Sequence, residues 1–143
     1  MGEVRAKVKL TNAIDEALVR RGQLAADKVS VYEAEALVDT GAVCSVLPIY
    51  VVQRLGLAVR GQRVAEYADG RQEIVGVTEP VIIECENRDT LEESLILGDE
   101  VIIGQTVLEK LDLLVDCANH RLIPNPAHPD QPVSKVKRSI LTY

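Results

Sequence analysis

Neither phenylalanine nor tryptophan occurs in this chain of 143 residues, and aromatic residues of any kind make up only 3% of it. Apolar residues still reach 47%, so the core has to be packed from valine, leucine, isoleucine and alanine, a composition that favours strands. Positive charge is also short: 16 Lys and Arg against 22 Asp and Glu leave a net charge of -6. That balance argues against a general nucleic-acid or anionic-membrane surface, since both want a basic face. No apolar stretch reaches the length of a membrane span, and the charged start MGEVRAKVK leads into no signal-peptide core, so a cytoplasmic protein is expected. Cysteine is sparse as well. Cys44, Cys85 and Cys117 cannot all pair within one chain and resemble no disulfide framework, which fits reduced thiols. Cys117 and His120 have a C-x-x-H spacing, but a structural zinc site needs four ligands and no second close pair exists, so no metal is expected. His120 and His128 are the only histidines and both lie among turn-forming residues, which leaves a cysteine nucleophile without a well-placed base.

The residues present describe one domain, expected over 1–125, with a Pro-rich tail over 126–143. VRAKVKL (4–10) alternates apolar and charged residues as a half-buried strand does. Asn12 then offers an N-cap, Asp15 and Glu16 fall in a first turn, and Ile14, Ala17 and Leu18 recur at helical spacing before Gly22. A strand is expected over 29–38. Pro48 stands in the first turn of a short helix that Gly56 stops. The segments 63–67 and 72–77 flank Asp69-Gly70, a pair suited to a tight hairpin because both residues tolerate positive φ. Two further strands, 81–85 and 94–97, are expected to be joined by a charged turn, ENRDTLEE. A strand over 101–104, a helix over 105–111 and a late strand pair, 113–117 with 121–123, complete a sandwich-like or barrel-like count. The tail PNPAHPDQP is too rich in proline for a regular element, and VSKVKRSILTY after it reads equally as a docking strand, a loose end or an arm onto a partner.

The stretch ALVDTGAVCSVL (36–47) is chemically unusual. An apolar run runs straight into the carboxylate of Asp39, which would be costly to bury without partners. Thr40 supplies a hydroxyl, and Gly41 supplies an amide unshielded by any side chain. Read on its own, the trio is either a turn cap at the end of a strand or a carboxylate held for chemistry.

At Leu37-Val38-Asp39-Thr40-Gly41-Ala42 the sequence resembles the retropepsin-like aspartic proteases, whose signature is two apolar residues followed by Asp-Thr-Gly-Ala. Val43 departs from it, standing where a small or polar residue is usual. A second motif follows: Val101-Ile102-Ile103-Gly104 and the helical QTVLEKL resemble that family's apolar-apolar-Gly strand and C-terminal helix, with Gln105 in place of a more usual Arg or Asn. The resemblance covers roughly residues 29–125 and is strongest to the small single-domain prokaryotic members. It implies a mainly β fold, the closed acid-protease barrel or sandwich with two or three short helices. It also implies an aspartic endopeptidase needing no cofactor, with Asp39, Thr40 and Gly41 as the catalytic trio. The Asp69-Gly70 hairpin falls where the family has its flap, which makes Ala42, Ala68, Asp69, Gly70 and Arg71 candidates for contact with a peptide or protein substrate.

Peptide hydrolysis by carboxylates needs one ionised to activate water and one protonated to polarise the carbonyl. Only one Asp-Thr-Gly occurs here, and Asp116 has no Thr-Gly after it, so the second acid is expected from the same residue of a second chain in a homodimer. Two rivals stand beside this expectation. One is a catalytically silent dimerising or peptide-binding module on the same fold. The other is a metal-dependent hydrolase built on Asp39, Cys117 and His120.

Overall fold

The structure is a computed structural model that describes residues 2–136, so the last part of the tail, 137–143, lies outside the described residues. Eleven strands and three α-helices are present among the described residues. The strands are β1 (Val4–Asn12), β2 (Val31–Val38), β3 (Val46–Leu47), β4 (Val59–Glu66), β5 (Gln72–Thr78) and β6 (Val81–Cys85). They continue with β7 (Arg88–Glu92), β8 (Leu95–Ile96), β9 (Ile102–Ile103), β10 (Leu113–Asp116) and β11 (Arg121–Pro124). The helices are α1 (Ala13–Arg20), α2 (Ile49–Arg54) and α3 (Gln105–Leu111). Nine strands form one curled sheet in the order β4-β5-β8-β3-β9-β2-β1-β6-β7, and β10 pairs with β11. The fold is mainly β, as expected.

Each strand face has its own destination. In β1, Val4, Val8 and Leu10 are buried, while Arg5, Lys7 and Lys9 stay outside opposite Leu37, Glu35 and Glu33 of β2. Leu10, Leu47, Val51, Leu55, Val81, Ile83, Ile103, Val107 and Leu111 make the dry centre, into which α2 and α3 each press one face. The absence of large aromatics is thus made good by many branched aliphatics, whose dispersion contacts are small singly and large together. Asn12 ties two helices at once. Its Oδ1 accepts the N–H groups of Ile14 and Asp15 at the start of α1, and its Nδ2 donates to Leu55 O at the end of α2 at 2.9 Å.

Three expectations need correction. The charged segment expected as a turn contains a strand: Glu86 and Asn87 both take positive φ (52° and 60°), the chain reverses there, and Arg88–Glu92 pairs back along β6. Its charges conceal it, because Arg88 turns inward and only Leu91 supplies a large apolar side chain. In consequence β8 is no partner of β6; it lies between β5 and β3. The strand expected from 29 begins at Val31, preceded by a 3-10 turn over Ala26–Lys28. The hairpin at Asp69-Gly70 is wider than a two-residue turn. Only Gly70 takes positive φ (86°), Asp69 instead accepts the N–H of Arg71 on its side chain, and the tip spans residues 67–71, closed by Tyr67 N–H to Arg71 O at 2.8 Å.

Candidate active site

Asp39 follows β2 directly, and the sheet decides where it stands. Leu37 N–H donates to Val101 O at 2.9 Å and Asp39 N–H to Ile103 O at 3.0 Å, so the pairing of β2 with β9 continues into the acid's own backbone. The loop then folds back. Gly41 N–H donates to Asp39 Oδ1 at 2.9 Å, and Ala42 N–H to Asp39 O at 3.1 Å. The carboxylate is exposed in the single chain, as are Thr40 and Gly41, so its cost of burial never arises here.

The far side of the loop hangs from α3. Gln105 N–H donates to Ala42 O at 2.7 Å and Thr106 N–H to Val43 O at 3.1 Å, two amides that the first turn of any helix leaves free. Gly104 makes the approach possible, because a Cβ there would lie 2.5 Å from Cys44 O and 2.7 Å from Ala42 O. The two sequence motifs, 37–42 and 101–104, are therefore one assembly. Gln105 acts here through its backbone, so the departure at that position leaves the assembly intact. Val43 points much of its surface to solvent, at 69% exposure.

From Asp39 the sheet carries a row of apolar residues toward the hairpin. Leu37 pairs with Ile102, Ile102 with Val46, Val46 with Leu95, and Leu95 with Val77. Directly paired residues share a face. The alternate residues Val38, Ile103, Leu47 and Ile96 pack in or against the core, so this row lies on the other face of the sheet, where Val46 and Val77 are themselves buried, at 6% and 4% exposure. Sequence reasoning missed these five residues. Their signal was the two-residue alternation inside segments too short to display it.

The hairpin of β4 and β5 stands at the other end of that row. Arg71 lies over the Tyr67 ring at 4.5 Å, and Tyr67 OH donates to Glu73 at 2.6 Å, which braces the tip. Asp39, Thr40, Gly41 and Ala42 are thus gathered in one loop. Ala68, Asp69, Gly70 and Arg71 form a separate group, with β8, β3 and β9 between β5 and β2. Four interstrand spacings amount to roughly 19 Å along a flat sheet, a gap that a curled sheet and a projecting hairpin shorten.

Two concavities bear on the assignment. One, of about 730 Å³, opens beside Thr40 between α3 and β10 and has Leu108, Leu113, Leu114 and Val115 in its walls. The other, of about 530 Å³, lies on the outer face of β1, β2 and β6, where Lys7, Lys9, Glu33, Glu35 and Glu84 face one another across strands. Opposite charges on a solvated sheet face account for the second without any ligand. Cys117 and His120 are exposed, and among the described residues no group of three or more His, Cys, Asp or Glu is placed to hold a metal. Among those residues, too, no helix is long and apolar enough to cross a membrane.

No family model matches the sequence, and no curated protein matches it. Solved structures do. The retroviral protease-like domain of Ddi1 from Leishmania major matches with a TM-score of 0.56 and 18% identity, over 88% of this chain and 90% of that one. EIAV protease in complex with an inhibitor matches with a TM-score of 0.48 and 27% identity, over 55% of this chain and 77% of that one. Simian Foamy Virus (mac) protease matches with a TM-score of 0.44 and 12% identity, over 75% and 91%. Likeness to the first of these, over nearly the whole of both chains, joins the mainly β architecture and the motif-bearing loop in one conclusion: this chain has a retropepsin-like fold.

Proposed function

We infer that the protein is an aspartic endopeptidase whose active site forms between two copies of the chain, with Asp39 of each copy flanking one water. A single observation carries this reading. Asp39 is a solvent-facing acid, yet its loop is pinned by five backbone amides, those of Asp39, Gly41, Ala42, Gln105 and Thr106. A surface carboxylate needs no such fixation to stay soluble, whereas one that must meet a second carboxylate needs its position held to a fraction of an ångström.

The chemistry follows from placing two such acids together. Like charges a few ångströms apart resist double ionisation, so the pair keeps one proton, as in known aspartic proteases. The ionised Asp39 takes a proton from water as the water attacks the peptide carbonyl. The protonated Asp39 donates to that carbonyl oxygen, and a proton then passes to the leaving nitrogen. Twofold symmetry brings identical patches face to face, and the exposed Thr40 with the apolar groove beside it, where Leu114 is 45% exposed, supplies such a patch. The substrate is an extended peptide lying across the Asp39 loop. The hairpin tip, Ala68 to Arg71, covers it. Ala42 adds surface more than main-chain bonds, since its N–H and C=O are already engaged with Asp39 and Gln105. Extended peptides bind such clefts by backbone hydrogen bonds, with side-chain pockets choosing among sequences.

Mixing active chain with Asp39→Asn chain tests the shared site. Random exchange of equal amounts gives active, mixed and mutant dimers in proportions of about one to two to one, so activity at fixed total protein falls to about a quarter. A stable half-activity after verified exchange sinks the reading. Tight peptide binding with no cleavage by the unmixed wild-type chain points to the silent module instead.

A further inference from the structure

The loop that bears Asp39 is held from another direction by buried hydroxyls. Ser45 closes the loop just before β3 and is 1% exposed; its Oγ lies 2.7 Å from Ser94 Oγ, itself 1% exposed. Ser94 in turn is bonded twice to Thr78, a fully buried residue that ends β5. Ser94 N–H donates to Thr78 Oγ1 at 3.0 Å, and Thr78 N–H donates to Ser94 O at 2.9 Å. Leu95 N–H adds a bond to Ser45 O at 3.0 Å. A hydroxyl taken from water costs free energy unless it is bonded, so three together in an otherwise aliphatic interior form a unit whose members depend on one another.

We propose that Ser45, Ser94 and Thr78 are positioning residues that couple the base of the β4–β5 hairpin to the loop carrying Asp39. The proposal rests on the protease reading for its purpose, though the coupling itself is physical. The hairpin's return strand ends at Thr78. Any swing of the hairpin over a peptide bears on that residue, and the paired bonds make Ser94 follow. Ser94 transmits the displacement to Ser45 through the hydroxyl contact, beside the backbone bond from Leu95 N–H to Ser45 O, while α3 holds the other side of the loop at Ala42 and Val43. Closure of the hairpin and the set of Asp39 are thus linked within one chain, so that the acid is best placed when the cleft is covered. Coupling of this kind acts on the chemical step more than on ground-state binding.

The test uses the full chain as wild type and as Thr78→Val, Thr78→Ser, Ser45→Ala, Ser94→Ala and the Ser45→Ala/Ser94→Ala double variant. Thr78→Val keeps the branching and removes the acceptor. Its kcat on an unstructured protein falls on the order of tenfold while KM changes little. Amide exchange at 41–44 speeds up beyond any change in global stability, and Thr78→Ser restores both. Ser45→Ala, working from the other end, speeds exchange in the hairpin tip at 67–71. The double variant is no worse than either single one, because the two hydroxyls share one contact. Folded Thr78→Val with wild-type exchange at 41–44 overturns the proposal; should that variant not fold, Ser45→Ala and Ser94→Ala with unchanged exchange at the hairpin tip overturn it equally. A wild-type chain that cleaves nothing, or an Asp39→Asn chain that cleaves as well, defeats the protease reading instead, and the exchange data still decide the coupling.

Discussion

His128 Nδ1 stands 2.6 Å from Asp112 Oδ2, and the same carboxylate accepts Asn125 Nδ2 on Oδ1 at 3.0 Å and Val133 N–H on Oδ2 at 3.1 Å. Asp112 caps α3 in the left-handed conformation (φ 55°), so one acid fastens the Pro-rich segment after β11 to the end of the helix that also supports the Asp39 loop.

This fastening depends on pH in a definite sense. The Asn125 amide, the Val133 N–H and His128 lower the Asp112 pKa from 3.8 to about 2, against the opposing effect of desolvation. A folded-state pKa below the unfolded one contributes stability that is complete above about 4 and is lost as pH falls toward 2. The urea midpoint of the wild-type chain should therefore drop more steeply between pH 4 and pH 2 than that of Asp112→Asn, which keeps a residue tolerant of positive φ. Parallel slopes would show that the carboxylate does not hold the segment.

Arg88 is the buried counterpart of that acid. At 6% exposure it donates to Leu111 O at 3.1 Å, to Asp112 O at 2.8 Å and to His128 O, gathering the negative end of α3 and the tail around one guanidinium. Arg88→Met takes the guanidinium from three carbonyls, of which Asp112 O still accepts Asn125 N–H at 3.0 Å, and should cost on the order of 2–3 kcal/mol. Arg88→Lys keeps the charge but loses the fork and should fall between the two. Denaturant titration of the three proteins gives the order; a neutral Arg88→Met contradicts it.

Gly104 has no room for a side chain. The methyl of Gly104→Ala would meet two backbone oxygens of the Asp39 loop, and backbone yields less readily than a side-chain end. A stability loss of about 1–3 kcal/mol is expected, with a larger proportional loss of peptide cleavage because the displaced atoms position Asp39. A variant with wild-type cleavage would mean that the loop shifts at no cost.

Gly70 offers the contrasting case. Nothing lies within 4 Å of a Cβ built there, so Gly70→Ala is penalised by its φ of 86° alone. Global stability should change by no more than about 1–2 kcal/mol. Cleavage efficiency should fall through the geometry of the hairpin tip, read as kcat/KM at fixed temperature. An unchanged kcat/KM would remove the tip from contact with substrate.

Local chemistry made much of this molecule legible. The alternation of VRAKVKL, the cap at Asn12, the stop at Gly56 and the Asp-Thr-Gly at the end of an apolar strand are set within a few residues, by side-chain period, orphan amides and allowed φ. Those features carried the fold class and the loop of the candidate site. Tertiary pairing alone decided the rest. RDTLE is a strand because β6 lies alongside it, although its charges read as a turn. Leu95 belongs beside Val46 because β8 travels to β3, and the apolar row from Leu37 to Val77 exists only in that register. Arg88 and Asp112 look like surface charges in the sequence; they become a buried donor and a fastening acid because the chain returns past the end of α3, bringing three backbone carbonyls to the guanidinium and Asn125, His128 and Val133 to the carboxylate.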